Sequence, residues 1–363
     1  MSEKVKNEYE PDVVTPPGET LLETLQALGM RQAELATRIG KTPKALVDII
    51  KHNAEITPDT AMELEKALGI PASFWMNRER RYRESLARKA ERERMAQWVP
   101  WLKSLPVREM IKAGLIRDSK DKVDLVDQVL RYFGVVSPDQ WREVWLSADA
   151  AYRKSKVFNL KPEANSVWLR RGELQAQQIQ SKPFDRDKFI SALKGIRGMT
   201  RTSPSEFKEK AVQLCAEAGV AVVFTPPIVG APVYGATRWL TPDKALIQLS
   251  LRGKWEDILW FTFFHEAAHI ILHLKKDVFV EGSGNDGERE DEADRFVRDF
   301  LIPPNHYSRL SAMDFRRVSI VEKFAAELGI SPAIVVGRLQ HDKRLGRDRL
   351  NGLRRRFEFA KHE

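Results

Sequence analysis

Residues 254–276 read KWEDILWFTFFHEAAHIILHLKK, and this stretch limits the possible folds more than any other. It contains no proline or glycine and is long enough for about six helical turns. Apolar residues fall on nearly every face of such a helix, among them Ile258, Leu259, Trp260, Phe263, Phe264, Ala267, Ile270 and Ile271. A helix that is apolar all round is buried. Burying His265, Glu266 and His269 within it is costly unless something compensates, and a metal ion does so. His265 and His269 are four residues apart, which puts both imidazoles on one face, one turn from each other. Glu266 adjoins them, placed to take a proton from an attacking water. A catalytic zinc takes three protein ligands and keeps a fourth position open, so a further ligand is expected from a second helix.

That helix follows the Gly- and Asn-containing run VEGSGNDGER, as REDEADRFVRDFLIPP. Its apolar stripe is Ala293, Phe296, Val297, Phe300 and Leu301, and Pro303-Pro304 stops it. At roughly 100° per residue, Glu290 falls roughly 50° from the centre of the stripe and Glu292 roughly 110° away. Glu290 is therefore the expected third ligand. Asp294, one turn on, is expected to orient a ligand histidine from behind. Glu288 and Glu292 read as an acidic helix start, which the helix dipole favours. His273 reads either as a group behind the ligands, as a transition-state donor, or as a hydrogen-bonded core histidine. His306 and His341 are weaker candidates. Cys215 has no adjacent histidine and reads as core.

Upstream of this pair, the pattern over 206–218 predicts a helix stopped by Gly219. Val220–Phe224 suits a buried strand, and two more strands are expected near 233–239 and 244–250. Before them, residues 77–185 read as a charged helix and a Trp-rich helical linker, with Trp98, Trp101, Trp141, Trp145 and Trp168 as anchors. In the same region Leu125, Val126, Val129, Leu130 and Phe133 keep helical spacing up to Gly134.

Residues 1–17 read as a flexible leader. Five short helices are expected over 18–76: one from Gly18 to Leu28, one from Arg31 to Ile39, one from Pro43 to about Ile50, one from Pro58 and one from Pro71. Thr42 is a good N-cap, with Pro43 at the first helical position. The tight turn at Gly40 between the second and third helices describes a helix-turn-helix.

The net charge of +9 is unevenly spread. Residues 1–76 carry 8 basic and 12 acidic side chains, residues 77–126 carry 14 and 8, and residues 343–363 carry 8 and 3. Basicity thus lies in the linker and in a tail expected from residue 346, not in the helix-turn-helix segment. A single cysteine excludes an intrachain disulfide and fits a reducing compartment. No run is long enough to span a bilayer and no signal peptide is recognisable. A soluble cytoplasmic protein is expected.

The stretches GATRW (235–239), ALIQLSLR (245–252), WFTFFHEAAHIILH (260–273), EDEADRFVRDFLIP (290–303) and FAAELGISPAIVVGRLQ (324–340) together resemble the ImmA/IrrE family of metallopeptidases, over about residues 205–345. The resemblance implies a zincin-like, gluzincin-like endopeptidase domain, placed at 186–345. Its zinc (manganese being the alternative) would be held by His265, His269 and Glu290, with Glu266 as base. Ala267, Ala268 and Val297 depart from the family pattern and touch no expected ligand. Residues RQAELATRIGKTPKALVDIIKHNAEITPDTAMELEKALG, followed by PASFWMN, resemble HigA-type antitoxins of the Xre class. That resemblance makes the third helix the recognition helix, with Thr42, Lys44, Ala45, Asp48 and Lys51 as candidate DNA contacts. Lys41 stands where an apolar residue is usual.

The fold class expected is therefore mainly α with a small α+β part. The function expected is a DNA-binding regulator with a zinc endopeptidase that cuts a helix-turn-helix repressor or another partner protein. The alternative is an antitoxin and autorepressor whose zincin-like domain binds or senses without cutting. Partners expected are operator DNA and a protein substrate, with a small HigB/RelE-like toxin or a second copy of the chain as further candidates, and no membrane.

Overall fold

Thr42 and Thr57, each followed by a proline, start two N-terminal helices. Thr42 Oγ1 accepts from the Ala45 amide at 3.1 Å and Thr57 Oγ1 from the Thr60 amide at 3.3 Å. The computed structural model describes residues 14–146, 161–273, 279–280 and 287–357. The chain divides into two units, Met1–Gln97 and Trp98–Glu363.

In the first unit α1 (Pro17–Ala27), α2 (Gln32–Arg38), α3 (Pro43–Lys51) and α4 (Pro58–Leu68) close around Leu21, Leu25, Leu35, Leu46, Leu64 and Trp75. A Cβ at Gly18 would lie 2.2 Å from the Ile49 carbonyl oxygen, so α1 meets α3 only through a glycine. The unexpected Lys41 pairs with Glu63 of α4 at 2.9 Å. The short fifth helix expected at Pro71 does not stop. It continues as α5, Ala72–Gln97, because no proline or glycine interrupts those 26 residues. Near its start Glu79 is buried, accepting from the Ile56 amide at 3.2 Å and from Arg83 at 2.6 Å. The first compact unit thus reaches Gln97 and takes in the charged helix as well as the helix-turn-helix segment expected over 18–76.

The second unit begins with α6 (Val107–Lys112), α7 (Lys122–Phe133), α8 (Pro138–Trp141) and α9 (Pro162–Gln177). Trp101, Trp141 and Trp145 cluster with Phe133 in edge-on and tilted contacts at 5.4–5.8 Å, whereas Trp98 is only half-buried. Trp168 does something else: its Nε1 donates to the Thr225 carbonyl at 3.1 Å, fixing α9 to the sheet. Next come α10 (Arg186–Gly198), α11 (Pro204–Glu217), β1 (Val220–Phe224), β2 (Gly235–Thr241), β3 (Lys244–Leu249), α12 (Glu256–Leu272), β4 (Phe279–Val280) and α13 (Gly287–Leu301). Three more α-helices follow among the described residues, α14 (Pro304–Ser311), α15 (Val318–Leu328) and α16 (Pro332–His341).

The sheet order is β1-β3-β2-β4, with β1 parallel to β3 and β2 antiparallel to both of its neighbours. Alternation along the strands sorts the two faces. Val220, Val222, Ala245 and Ile247 join the main core with α10, α11 and α12, while Ala221, Val223 and Leu246 meet Ala176 of α9 on the other face. The apolar α12 is thus enclosed by the sheet, α13 and α16.

In the segment expected as a basic tail, Arg354, Arg355 and Phe357 pack onto the second unit, whereas residues 346–349 are exposed. Arg354 forks onto Asp257 with two bonds of 2.8 Å, and Arg355 reaches Glu256 at 2.7 Å and the carbonyls of Thr200 and Thr202. The first turn of α12 holds two buried carboxylates, and these arginines are their cations. No helix among the described residues is long and apolar enough to cross a membrane.

Candidate metal centre

The enclosure of α12 leaves His265 and His269 each 2% exposed and Glu266 fully buried. Their Nε2 atoms lie 3.0 Å apart. The Glu290 carboxylate of α13 closes the triangle, with Oε2 3.0 Å from His265 Nε2 and Oε1 3.5 Å from His269 Nε2. Ligand atoms around a tetrahedral zinc, each about 2.0–2.1 Å from the ion, are about 3.3 Å from one another. Two neutral nitrogens and one carboxylate at these separations are a donor set that fits a borderline-soft dication.

The atoms behind the triangle favour the same arrangement. His265 Nδ1 meets Asp294 Oδ1 at 2.9 Å, so Nδ1 carries the proton and Nε2 the lone pair. His269 Nδ1 meets His273 Nδ1 at 2.9 Å, and His273 Nε2 meets Glu292 Oε2 at 3.3 Å. One tautomer set satisfies this row: His269 donates to His273, His273 donates to Glu292, and His269 Nε2 keeps its lone pair. Burial first, and then neighbouring His265 and His273, push His269 down to about 2. It is therefore neutral at physiological pH, the state that binds a metal. Glu292 stays largely in solvent, its side chain 57% exposed against 22% for Glu290.

Two elements hold these side chains in place. Arg197 of α10 donates to the Phe300 and Leu301 carbonyls at the end of α13, both at 2.9 Å, and to the Leu328 carbonyl of α15 at 3.1 Å. A cation there caps both helices and fixes the axis of α13. On the sheet side, Thr237 Oγ1 donates to the Glu266 carbonyl at 3.0 Å. A Cβ at Gly235 would lie 2.7 Å from Glu266 Oε1, so β2 passes the Glu266 carboxylate closely only because residue 235 is glycine. Sequence reasoning gave neither Gly235 nor Thr237 a role. A glycine inside an expected strand is the signal that was there to be read.

His341 lies in a cleft beside His265 and stacks on Phe261. Cys215 is fully buried, and burial pushes its thiol up, as expected of a core residue. In the first unit Lys44 and Lys51 are exposed on α3, with Ala45 and Asp48 half-buried. Thr42 uses its hydroxyl as the helix cap.

Comparison with known proteins matches two separate spans, one within each unit. Residues 21–75 match the family model for the helix-turn-helix, and residues 240–340 match that for the IrrE N-terminal-like domain, a peptidase family. A search of curated proteins returns no significant match. The second matched span includes His265, Glu266, His269 and Glu290. The chain is therefore a fusion of a helix-turn-helix domain with an IrrE N-terminal-like, peptidase-family domain.

Proposed function

We propose that this chain is a DNA-binding regulator that hydrolyses a peptide bond in a protein, most simply in a helix-turn-helix repressor, and that it works in the cytoplasm. The observation that carries the reading is the convergence of His265, His269 and Glu290 within 3.5 Å on a buried helix pair. Zinc, once bound there, would polarise the scissile carbonyl and acidify the attacking water; manganese would serve the same role. Glu266 takes the proton of that water and returns it to the leaving amine. Asp294 and His273 hold the two imidazoles in the tautomer that ligation needs.

Metal binding is tested by paired substitutions. Glu290→Ala is expected to weaken zinc binding at least about 10²-fold in a chelator competition, because it deletes a ligand. Glu292→Ala is expected to stay within about tenfold of the parent, since it acts only through His273. Equal losses in the two variants would remove Glu290 from the ligand set.

The DNA arm is tested on residues 1–97. Lys44 is exposed on α3 and expected to touch an operator, with Thr42, Ala45, Asp48 and Lys51 around it. If Lys44 meets a phosphate, Lys44→Ala should lower affinity similarly on all sequences. It should also reduce the slope of log K against log salt by about one unit. A fragment that shows no sequence preference at low salt would make the first unit a protein-binding module instead.

A further inference from the structure

A cleft of about 480 Å³ opens beside the metal centre, between α12, α13 and α16. The apolar parts of its walls are built from Ile258, Phe261, Leu301 and Ile334. Because α12 and α13 run antiparallel, Glu290, Asp294 and Arg298 follow one another along the cleft away from the triangle of ligand atoms. The charged groups that line it are committed, with one exception. Asp257 is forked by Arg354, Asp294 faces His265, and Arg338 is tied to Asp342 at 2.6 Å. The guanidinium of Arg298, half-buried among these walls, has no ion pair or hydrogen bond among the described residues. Asp294, one turn earlier on the same face, is turned to the histidine instead. A guanidinium at an apolar wall is a planar fork suited to a carboxylate that arrives from outside.

Eight residues separate Glu290 from Arg298, about 12 Å of helix. An extended peptide covers that distance in about three to four residues. We propose that the cleft seats an apolar substrate side chain near the scissile bond, and that Arg298 selects an aspartate or glutamate three to four residues further along the peptide. That a bond is cut beside the cleft rests on the peptidase reading; the binding by the cleft and Arg298 does not.

The test separates the two. Full-length Glu266→Gln, loaded with zinc and immobilised, is offered a random decapeptide mixture, and the retained peptides are sequenced. Acidic residues spaced three to four positions from an aliphatic or aromatic residue should be enriched about tenfold, the value of a charged hydrogen bond. Adding Arg298→Ala should abolish that enrichment, and adding Arg298→Glu should replace it with lysine and arginine. The zinc content of both variants checks that the domain is folded. Enrichment that both substitutions leave unchanged, or retained peptides with no acidic preference, overturns the assignment. The unsubstituted chain is then given the same mixture. Acidic peptides that bind but are never cut would sink the peptidase reading and leave Arg298 in place. Cutting that ignores acidic residues would do the reverse.

Discussion

Glu266→Gln is expected to retain zinc and fold while losing cleavage of any protein substrate by at least about 10²-fold, the lower range for removing a general base. The substitution keeps the size of a fully buried side chain, so its close approach to Gly235 of β2 is preserved. It leaves His265, His269 and Glu290 untouched, so metal content should not fall. What it removes is the acceptor for the proton of the attacking water. Two measurements read the split: metal stoichiometry of the purified variant, and product formation from candidate repressors, including the chain's own first unit. A variant that regulates its target in cells as the parent does, with no proteolytic product from either, would retire the enzyme reading. The non-cutting antitoxin and autorepressor would then be the better account.

The features legible in the sequence were those set by local pattern. β1 at Val220–Phe224 was readable because its five apolar residues are bounded by Gly219 and Pro226, and the long helix across His265 because an uninterrupted apolar stretch of that length exceeds a strand. The placement of Glu290 toward the histidines and Glu292 toward solvent follows from helical angle alone, since the apolar stripe of α13 tells which side faces in. Angle also put Asp294 one turn from Glu290, where the structure has it against His265. What stayed hidden depends on partners far away in sequence. Thr237 and Gly235 act on Glu266 from a strand about thirty residues upstream, and a strand pattern does not say which helix crosses it. Arg197 reaches the end of α13 across a hundred residues. Trp168 was grouped with the other tryptophans because composition is blind to which side of a sheet a helix covers. The helix expected to end soon after Trp75 ran on to Gln97 because a change from apolar to charged composition is not a stop signal when no proline or glycine accompanies it.

The basic C-terminal segment is the clearest such case, and it carries the second large effect. Asp257 and Arg354 are each 9% exposed and joined by two bonds of 2.8 Å. Burial is the larger influence on Asp257 and raises its carboxyl above the usual range, with Arg354 opposing it only in part. The pair is therefore held rather than strongly favourable, and breaking it strands a charge. Arg354→Ala is expected to destabilise the second unit by about 3–5 kcal/mol at neutral pH, measured by urea unfolding. The double variant Asp257→Leu/Arg354→Met should recover most of that loss, because an apolar pair of similar volume removes the stranded charge. The pH dependence has a definite sign. A carboxyl whose pKa is raised on folding adds stability below its unfolded value, near 3.8, and loses it as pH rises through the folded value. Without Arg354 the folded value moves further up. The gap between Arg354→Ala and the parent should therefore be widest near pH 7 and narrow as pH falls toward 4. A gap that does not change over that range would mean that the arginine acts through Trp255, whose ring centre lies 4.6 Å from its guanidinium, and through its bonds to Gln340 and Asn351, and not through the charge of Asp257.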